Sequence, residues 1–265
     1  MDSRVSSSRK KADSPPQDPA LRPPLYLRVD LYLCLACALL FILWPQLDLD
    51  ISSRFYDPIS GHFNPDDSPA LEVIYRVFAK IHFLFLLLLI PLSIYFHRRY
   101  RGATTQADKH RKYLPSLLLS ALLLGPGVLG NVVLKDNSIG RARPNEVVQF
   151  GGESTFTRAF EYSGACDHNC SFISGHAAIG FYLIGLGWIF RSATAYWLGF
   201  LAGGIVGVTR IIQGGHFLSD VVFAFWLIHF SYVWLGYKFK LAHPLGRQLR
   251  WEDFGKLGKR FSNPD

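Results

Sequence analysis

The sequence predicts an all-α, polytopic membrane protein of six transmembrane helices. Two observations carry that expectation. The hydrophobic residues, 49% of the chain, are gathered into six blocks, and the basic residues alternate between the connecting segments. A helix needs about 20 apolar residues to cross a bilayer core. Tyr26–Trp44, Val77–Phe96, Leu114–Leu134, Ser174–Phe190, Ala195–Ile212 and His216–Tyr237 each come near that length, and six such blocks in 265 residues argue against a soluble helical fold. The expected organisation is a flexible basic tail over residues 1–25, a six-helix domain over 26–240 and a basic tail over 241–265.

Taken in order, the first segment is polar and rich in Ser and Pro. It lacks the short apolar stretch and small-residue cleavage site of a signal peptide, so it reads as a tail. In the first block Cys34 and Cys37 have CxxC spacing but no polar partners, which suits packing better than zinc or redox chemistry. The segment after it, "QLDLDISSRFYDPISGHFNPDDSPALE", is acidic. The third block holds "LLGPGVLG", a place where a helix could break.

The net charge of +8 invites a nucleic-acid reading, but its placement does not support one. Of 28 Lys and Arg residues, 20 fall in the two tails, in "HRRYRGATTQADKHRKY" and at Arg191. That is the positive-inside bias of a membrane protein with both termini in the cytoplasm. Eight basic residues are left on the outer side: Arg54, Arg76, Lys80, Lys135, Arg141, Arg143, Arg158 and Arg210. Arg54 and Arg76 have acidic company, and Lys80 can snorkel to the interface. Lys135, Arg141, Arg143 and Arg210 lie at or near the outer ends of apolar helices, where charges cost up to about 2.5–3.5 kcal/mol each at membrane depth. Too few outer acids stand beside them in the sequence to pair with all four, which points to an anionic ligand.

The topology brings three polar clusters to one face: "KDNSIGRARP" after the third block, "SFISGH" before the fourth, and "TRIIQGGHFLSD" between the fifth and sixth. Lys135, Arg141 and Arg143 offer one point charge and two planar forks, which suit phosphate oxygens. Ser174, Gly175 and His176 open a helix, where backbone N–H groups and the dipole favour an anion. For Ser174, helix capping and phosphate contact are both open. Arg210 adds another fork, and Gly214 and Gly215 allow close backbone approach. His216 and Asp220 are four apart, so on a helix the carboxylate would accept a hydrogen bond from one ring nitrogen and fix the tautomer. Two histidines, one backed by a carboxylate, within a ring of cations describe phosphoryl transfer without a metal or cofactor. His216 attacks phosphorus, His176 protonates the leaving alkoxide and later deprotonates water, and the cations stabilise the equatorial oxygens.

These three motifs resemble the signature motifs of the type 2 phosphatidic acid phosphatase (PAP2) superfamily, with phrasing most similar to bacterial lipid A phosphatases. The resemblance covers Lys135 to Asp220, and the six-helix layout extends it over most of the chain. It implies Lys135, Arg143, Ser174, Gly175 and Arg210 as phosphate ligands, His176 as general acid, His216 as nucleophile and Asp220 as its orienting partner. Three departures stand out. Seven residues separate Lys135 from Arg143 where the family usually has six, Ile173 replaces a proline, and Thr209 replaces a serine. The extra residue leaves room for Arg141 to share the work of Lys135, or to serve a neighbouring lipid headgroup.

Cys166 and Cys170, in "CDHNC", precede the second motif. A disulfide that stiffens the phosphate loop is the first reading, and a metal site with Asp167 and His168 the second. The expected substrate is a phosphate carried by a membrane lipid in the bilayer, with the lipid A 1- or 4′-phosphate leading and phosphatidylglycerophosphate or undecaprenyl diphosphate behind. A lipid-to-lipid phosphotransferase and a non-catalytic lipid transporter are the competing classes. The expected location is the bacterial inner membrane with the site facing the periplasm. The sequence does not set the oligomeric state.

Overall fold

The computed structural model describes residues 28–63, 68–135 and 139–245, with residues 131–135 described as backbone. The expected tail over 1–25 and most of that over 241–265 lie outside the described residues. The described chain is a helical bundle. In order it runs α1 (Val29–Leu43), α2 (Gln46–Ser53), a short hairpin of β1 (Tyr56–Asp57) and β2 (His62–Phe63), α3 (Pro69–Arg99) and α4 (Gln106–Leu122). A π-helical continuation (Leu123–Lys135), α5 (Gly175–Phe181), α6 (Leu186–Phe190), α7 (Ala193–Ile212) and α8 (Leu218–Lys238) complete it.

Among the described residues, α3, α4 with its continuation, α7 and α8 are long and apolar enough to cross a membrane. The pair α1–α2 makes a fifth span only if its 82° bend is ignored. The bend falls at Trp44–Pro45, where proline cannot donate the next helical hydrogen bond. The fourth expected block is a shorter helix, Gly175–Phe190, with a 3₁₀ turn at Tyr182–Gly185. Length and composition therefore support four or five spans, and six is the sequence expectation.

Local chemistry sets the helix ends. Pro69 opens α3, where no intrahelical N–H is needed, and His97, Arg98 and Arg99 close it against the negative end of the dipole. Thr105 caps α4 by accepting the Asp108 N–H at 3.1 Å, and Ser192 caps α7 by accepting that of Ala195 at 3.3 Å. The third block is not broken at "LLGPGVLG": it widens there into π-helix.

The core lies among α4, α5, α7 and α8, around Leu117, Ala177, Ile184, Trp188, Ile228 and Tyr232. Gly180 on α5 and Gly203 on α7 let the two backbones touch, since a β-carbon on Gly203 would enter the Phe181 ring. Several buried polar groups pair across the helices, as a membrane interior favours. Tyr182 Oη donates to the Leu118 carbonyl and Tyr232 Oη to that of Tyr182, each at 3.0 Å. Elsewhere in the bundle Asp30 accepts from His229 Nε2 (2.9 Å) and His229 Nδ1 accepts from Tyr196 Oη (2.8 Å), clasping α1, α7 and α8. None of the residues of α3 is buried, as expected of a helix with most of its surface against lipid.

A second, smaller core of Leu49, Phe63, Ala142, Val147, Phe150 and Phe217 joins α2, the hairpin and the segments on either side of the first motif. It covers the end of the bundle where α7 and α8 connect. That cover positions the site.

Candidate active site

Backbone hydrogen bonds stitch the three motifs together. Asn145 N–H donates to the Gly214 carbonyl at 3.1 Å, Ser171 N–H to that of Arg141 at 2.9 Å, and Ser174 N–H to that of Asp220 at 3.2 Å. Each bond links a different pair of clusters, so the clusters form one site. The loop between α7 and α8 needs both of its glycines. Gly214 has φ of +62° and lies under the Phe63 ring. A β-carbon on Gly215 would occupy the place of the Arg210 guanidinium.

His216 is buried just ahead of α8, not on it. Its Nδ1 lies 2.8 Å from the Ser171 carbonyl oxygen. A carbonyl can only accept, so Nδ1 carries the proton and Nε2 the lone pair. The expected direct hydrogen bond from His216 to Asp220 is replaced: Asp220 Oδ2 is 3.7 Å from Nδ1, beyond hydrogen-bond range. The physical reason is that the helix starts after the histidine. Asp220 is the third residue of α8 and caps it by accepting the Phe217 N–H at 2.8 Å. The same carboxylate accepts the Ser171 hydroxyl at 2.6 Å, so it orients the residue that orients the imidazole.

Arg141 also departs from expectation. It is fully buried. Its Nη1 donates to Asp220 Oδ1 (2.7 Å) and Ser219 Oγ (2.8 Å), its Nη2 to Asp48 Oδ2 (2.8 Å), and its Nε to the Thr157 carbonyl (3.0 Å). The guanidinium lies 4.3 Å from the centre of the Phe217 ring. Four of the five N–H donors of the fork are thus committed to protein oxygens. Besides Asp220, the acid that pairs with it is Asp48, from the segment read as merely acidic.

Arg143 and Arg210 lie elsewhere in the site. Arg210, largely buried, bonds Gln213 and lies 4.7 Å over the Tyr75 ring. Arg143 reaches the Asn169 carbonyl through Nη2 at 2.7 Å, which ties it to the loop where Cys166 and Cys170 are joined as a disulfide. The charges of Arg143 and Arg210 repel one another across the site, a cost that a bound anion relieves. Lys135 ends the π-helical segment, and its side chain lies outside the described residues. Ser174 is buried and caps α5, accepting the Ala177 N–H at 3.3 Å. His176 is half-buried, and its ring stacks on Tyr75 at 4.7 Å and 21°. Together with Gly175 it lines a cavity of about 200 Å³ that is otherwise mostly apolar, with Phe78, Leu86, Leu122 and Ile179 among its walls. Tyr75 was not legible as a site residue, because an isolated tyrosine before an apolar block carries no motif.

Tyr75 touches both His176 and Arg210. Replacing it with leucine is expected to lower kcat/KM by roughly 5- to 30-fold, the value of one cation–π contact. Tyr75→Phe, which keeps the ring, should stay near wild type. Steady-state kinetics on the purified variants checks both.

Two imidazoles, two guanidiniums and a mostly apolar cavity thus gather at one end of the bundle. The PAP2 superfamily model matches residues 110–243. A lipid A 4′-phosphatase of Francisella tularensis subsp. novicida (strain U112) is 32% identical over 80% of this chain and 94% of its own. One of Rhizobium leguminosarum is 31% identical over 71% and 84%. A solved transmembrane PAP2-type phosphatidylglycerolphosphate phosphatase of Bacillus subtilis is 19% identical with a TM-score of 0.46, covering 80% of this chain and 96% of that one. The chain belongs to the PAP2 superfamily.

Proposed function

We propose that this protein removes a phosphate from lipid A, the 4′-phosphate before the 1-phosphate, at the periplasmic face of a bacterial inner membrane. The observation that carries the chemistry is the His216 geometry: a carbonyl bond at Nδ1 makes Nε2 the nucleophile. The names of the two relatives support the choice of lipid and phosphate.

In this reading Nε2 of His216 forms a bond to phosphorus as the bond from phosphorus to the lipid oxygen breaks. His176 gives its proton to that departing oxygen and then takes one from the water that hydrolyses the phosphohistidine. Arg143, Arg210 and Lys135 hold the equatorial oxygens, and the N-terminus of α5 at Gly175, capped by Ser174, adds a backbone donor. The apolar cavity beside His176 takes part of the lipid's hydrocarbon. The topology has six spans, the shorter Gly175–Phe190 included, with both termini on the cytoplasmic side where the basic segments lie.

The test is to reconstitute the protein and follow phosphate release from bisphosphorylated lipid A, from its 4′-dephosphorylated form and from phosphatidylglycerophosphate, with mass spectrometry of the lipid product. Release from the first but not the second is expected, unchanged by a chelator. Equal release from the first two would assign the 1-phosphate instead. Phosphate appearing on another lipid rather than in solution would make the protein a phosphotransferase.

A further inference from the structure

The densest polar cluster in the bundle lies behind His216. Asp48, Arg141, Ser171, Ser219 and Asp220 are each no more than 1% exposed. Asp48 reaches it from α2 because of the 82° bend after α1. Its Oδ1 accepts the Ser219 N–H at 2.9 Å, and its Oδ2 accepts the Ser219 hydroxyl at 2.6 Å and Arg141 Nη2 at 2.8 Å. Ser219 is the second residue of α8, so Asp48 satisfies an N–H that the helix itself leaves unpaired. From there the chain of bonds runs through Arg141 to Asp220, from Asp220 to the Ser171 hydroxyl, and from the Ser171 carbonyl to His216 Nδ1.

The charges matter as much as the bonds. Every contact to the oxygens of Asp48 comes from a donor, which suits a carboxylate, so Asp48 and Asp220 as carboxylates share one guanidinium and leave a formal charge of −1. When Nε2 bonds to phosphorus while Nδ1 keeps its proton, the imidazole ring becomes cationic. A buried negative cluster beside it stabilises that ring at the moment the charge forms. With a neutral residue at 48, Arg141 would cancel Asp220 alone and the stabilisation would be lost.

We propose that Asp48 is a positioning residue for phosphoryl transfer, which offsets Arg141 so that Asp220 stays negative toward His216 while it fixes the first turn of α8. The proposal rests on the reading of His216 as nucleophile. A purely structural role for Asp48 would need its hydrogen bonds; this role needs its charge.

Asp48→Asn keeps the shape and an acceptor for the Ser219 N–H but loses both the charge and the acceptor for Ser219 Oγ and Arg141 Nη2, so the charge is isolated by restoring it in a double variant. The full chain in detergent is assayed with bisphosphorylated lipid A and, independently of lipid choice, with an aryl phosphate. Asp48→Asn is expected to lower kcat by about 10- to 100-fold on both, the usual effect of losing a partner behind a reacting group, with KM within about threefold. The double variant Asp48→Asn/Arg141→Gln returns the cluster to −1 and is expected to recover most of that loss. Wild-type kcat in Asp48→Asn, or a double variant slower than the single, overturns the proposal. If the single variant does not fold, a double variant more than about 100-fold slower than wild type overturns it. His216→Ala and wild type run alongside: activity in His216→Ala, or none in wild type on either substrate, overturns the underlying phosphatase mechanism instead.

Discussion

His216→Ala is expected to reduce turnover by about 10⁴-fold or more, the scale on which enzymes lose rate when a covalent nucleophile is removed. The expectation follows from how few groups can do its work. His176 is the other imidazole of the site, and it is stacked on Tyr75 beside the cavity. The cations of the site have no lone pair to offer. Alanine would also leave the Ser171 carbonyl without its donor, so some stability is lost, but Asn145, Gly214 and the backbone bonds between motifs do not involve the ring. The variant should therefore fold and bind phosphate while failing to transfer it. Rapid-quench labelling gives a second check. The wild type should form an acid-labile, base-stable phosphoenzyme, and His216→Ala none. His176→Ala should behave differently: with an aryl phosphate, whose leaving group needs no proton, the phosphoenzyme should form and accumulate, because the water of the second step has lost its base. Equal turnover in wild type and His216→Ala would refute the mechanism.

The parts of this molecule that depend on composition over many residues were legible in the sequence. Apolar blocks marked the helices, closely for α1, α7 and α8, but α3 and α4 begin eight residues before the expected Val77 and Leu114, because a helix runs on into polar residues beyond the apolar stretch. The motifs were legible because a cation at the end of an apolar helix is costly unless something anionic meets it. What failed was anything decided by depth or by the fold of a loop. Arg141 and Arg143 look alike two residues apart, yet one is sealed against two aspartates and the other reaches the Asn169 carbonyl. The difference is made by α2, whose bend carries Asp48 under Arg141 from 93 residues away. The i,i+4 spacing of His216 and Asp220 suggested a direct bond. It misled because the helix begins between them, and because the partner of the ring is a backbone oxygen, which no side-chain pattern reveals.

Arg141 supplies the second large effect, and the two roles open to it predict different kinds of loss. A phosphate ligand replaced by methionine would raise KM or lower kcat and leave the fold intact, since its donors would have faced the substrate. The structure instead commits four donor contacts to Asp48, Ser219, Asp220 and the Thr157 carbonyl, with no exposure of the side chain. Arg141→Met preserves most of the volume and the contact with Phe217, but it strands two buried carboxylates with no counter-charge. Breaking a buried ion pair by removing one partner costs about 3–5 kcal/mol, and here one residue serves two acids. We expect a loss at the upper part of that range, read as a lowered midpoint in thermal or denaturant unfolding in detergent. Arg141→Lys keeps the charge but not the fork, so it should be destabilised less, because one ammonium cannot reach both carboxylates in the planar geometry that a guanidinium provides. Measured at a temperature where the methionine variant is still folded, KM should stay near wild type. A variant with wild-type stability and a large rise in KM would put Arg141 back among the phosphate ligands and would require the cluster around Asp48 to open when substrate binds.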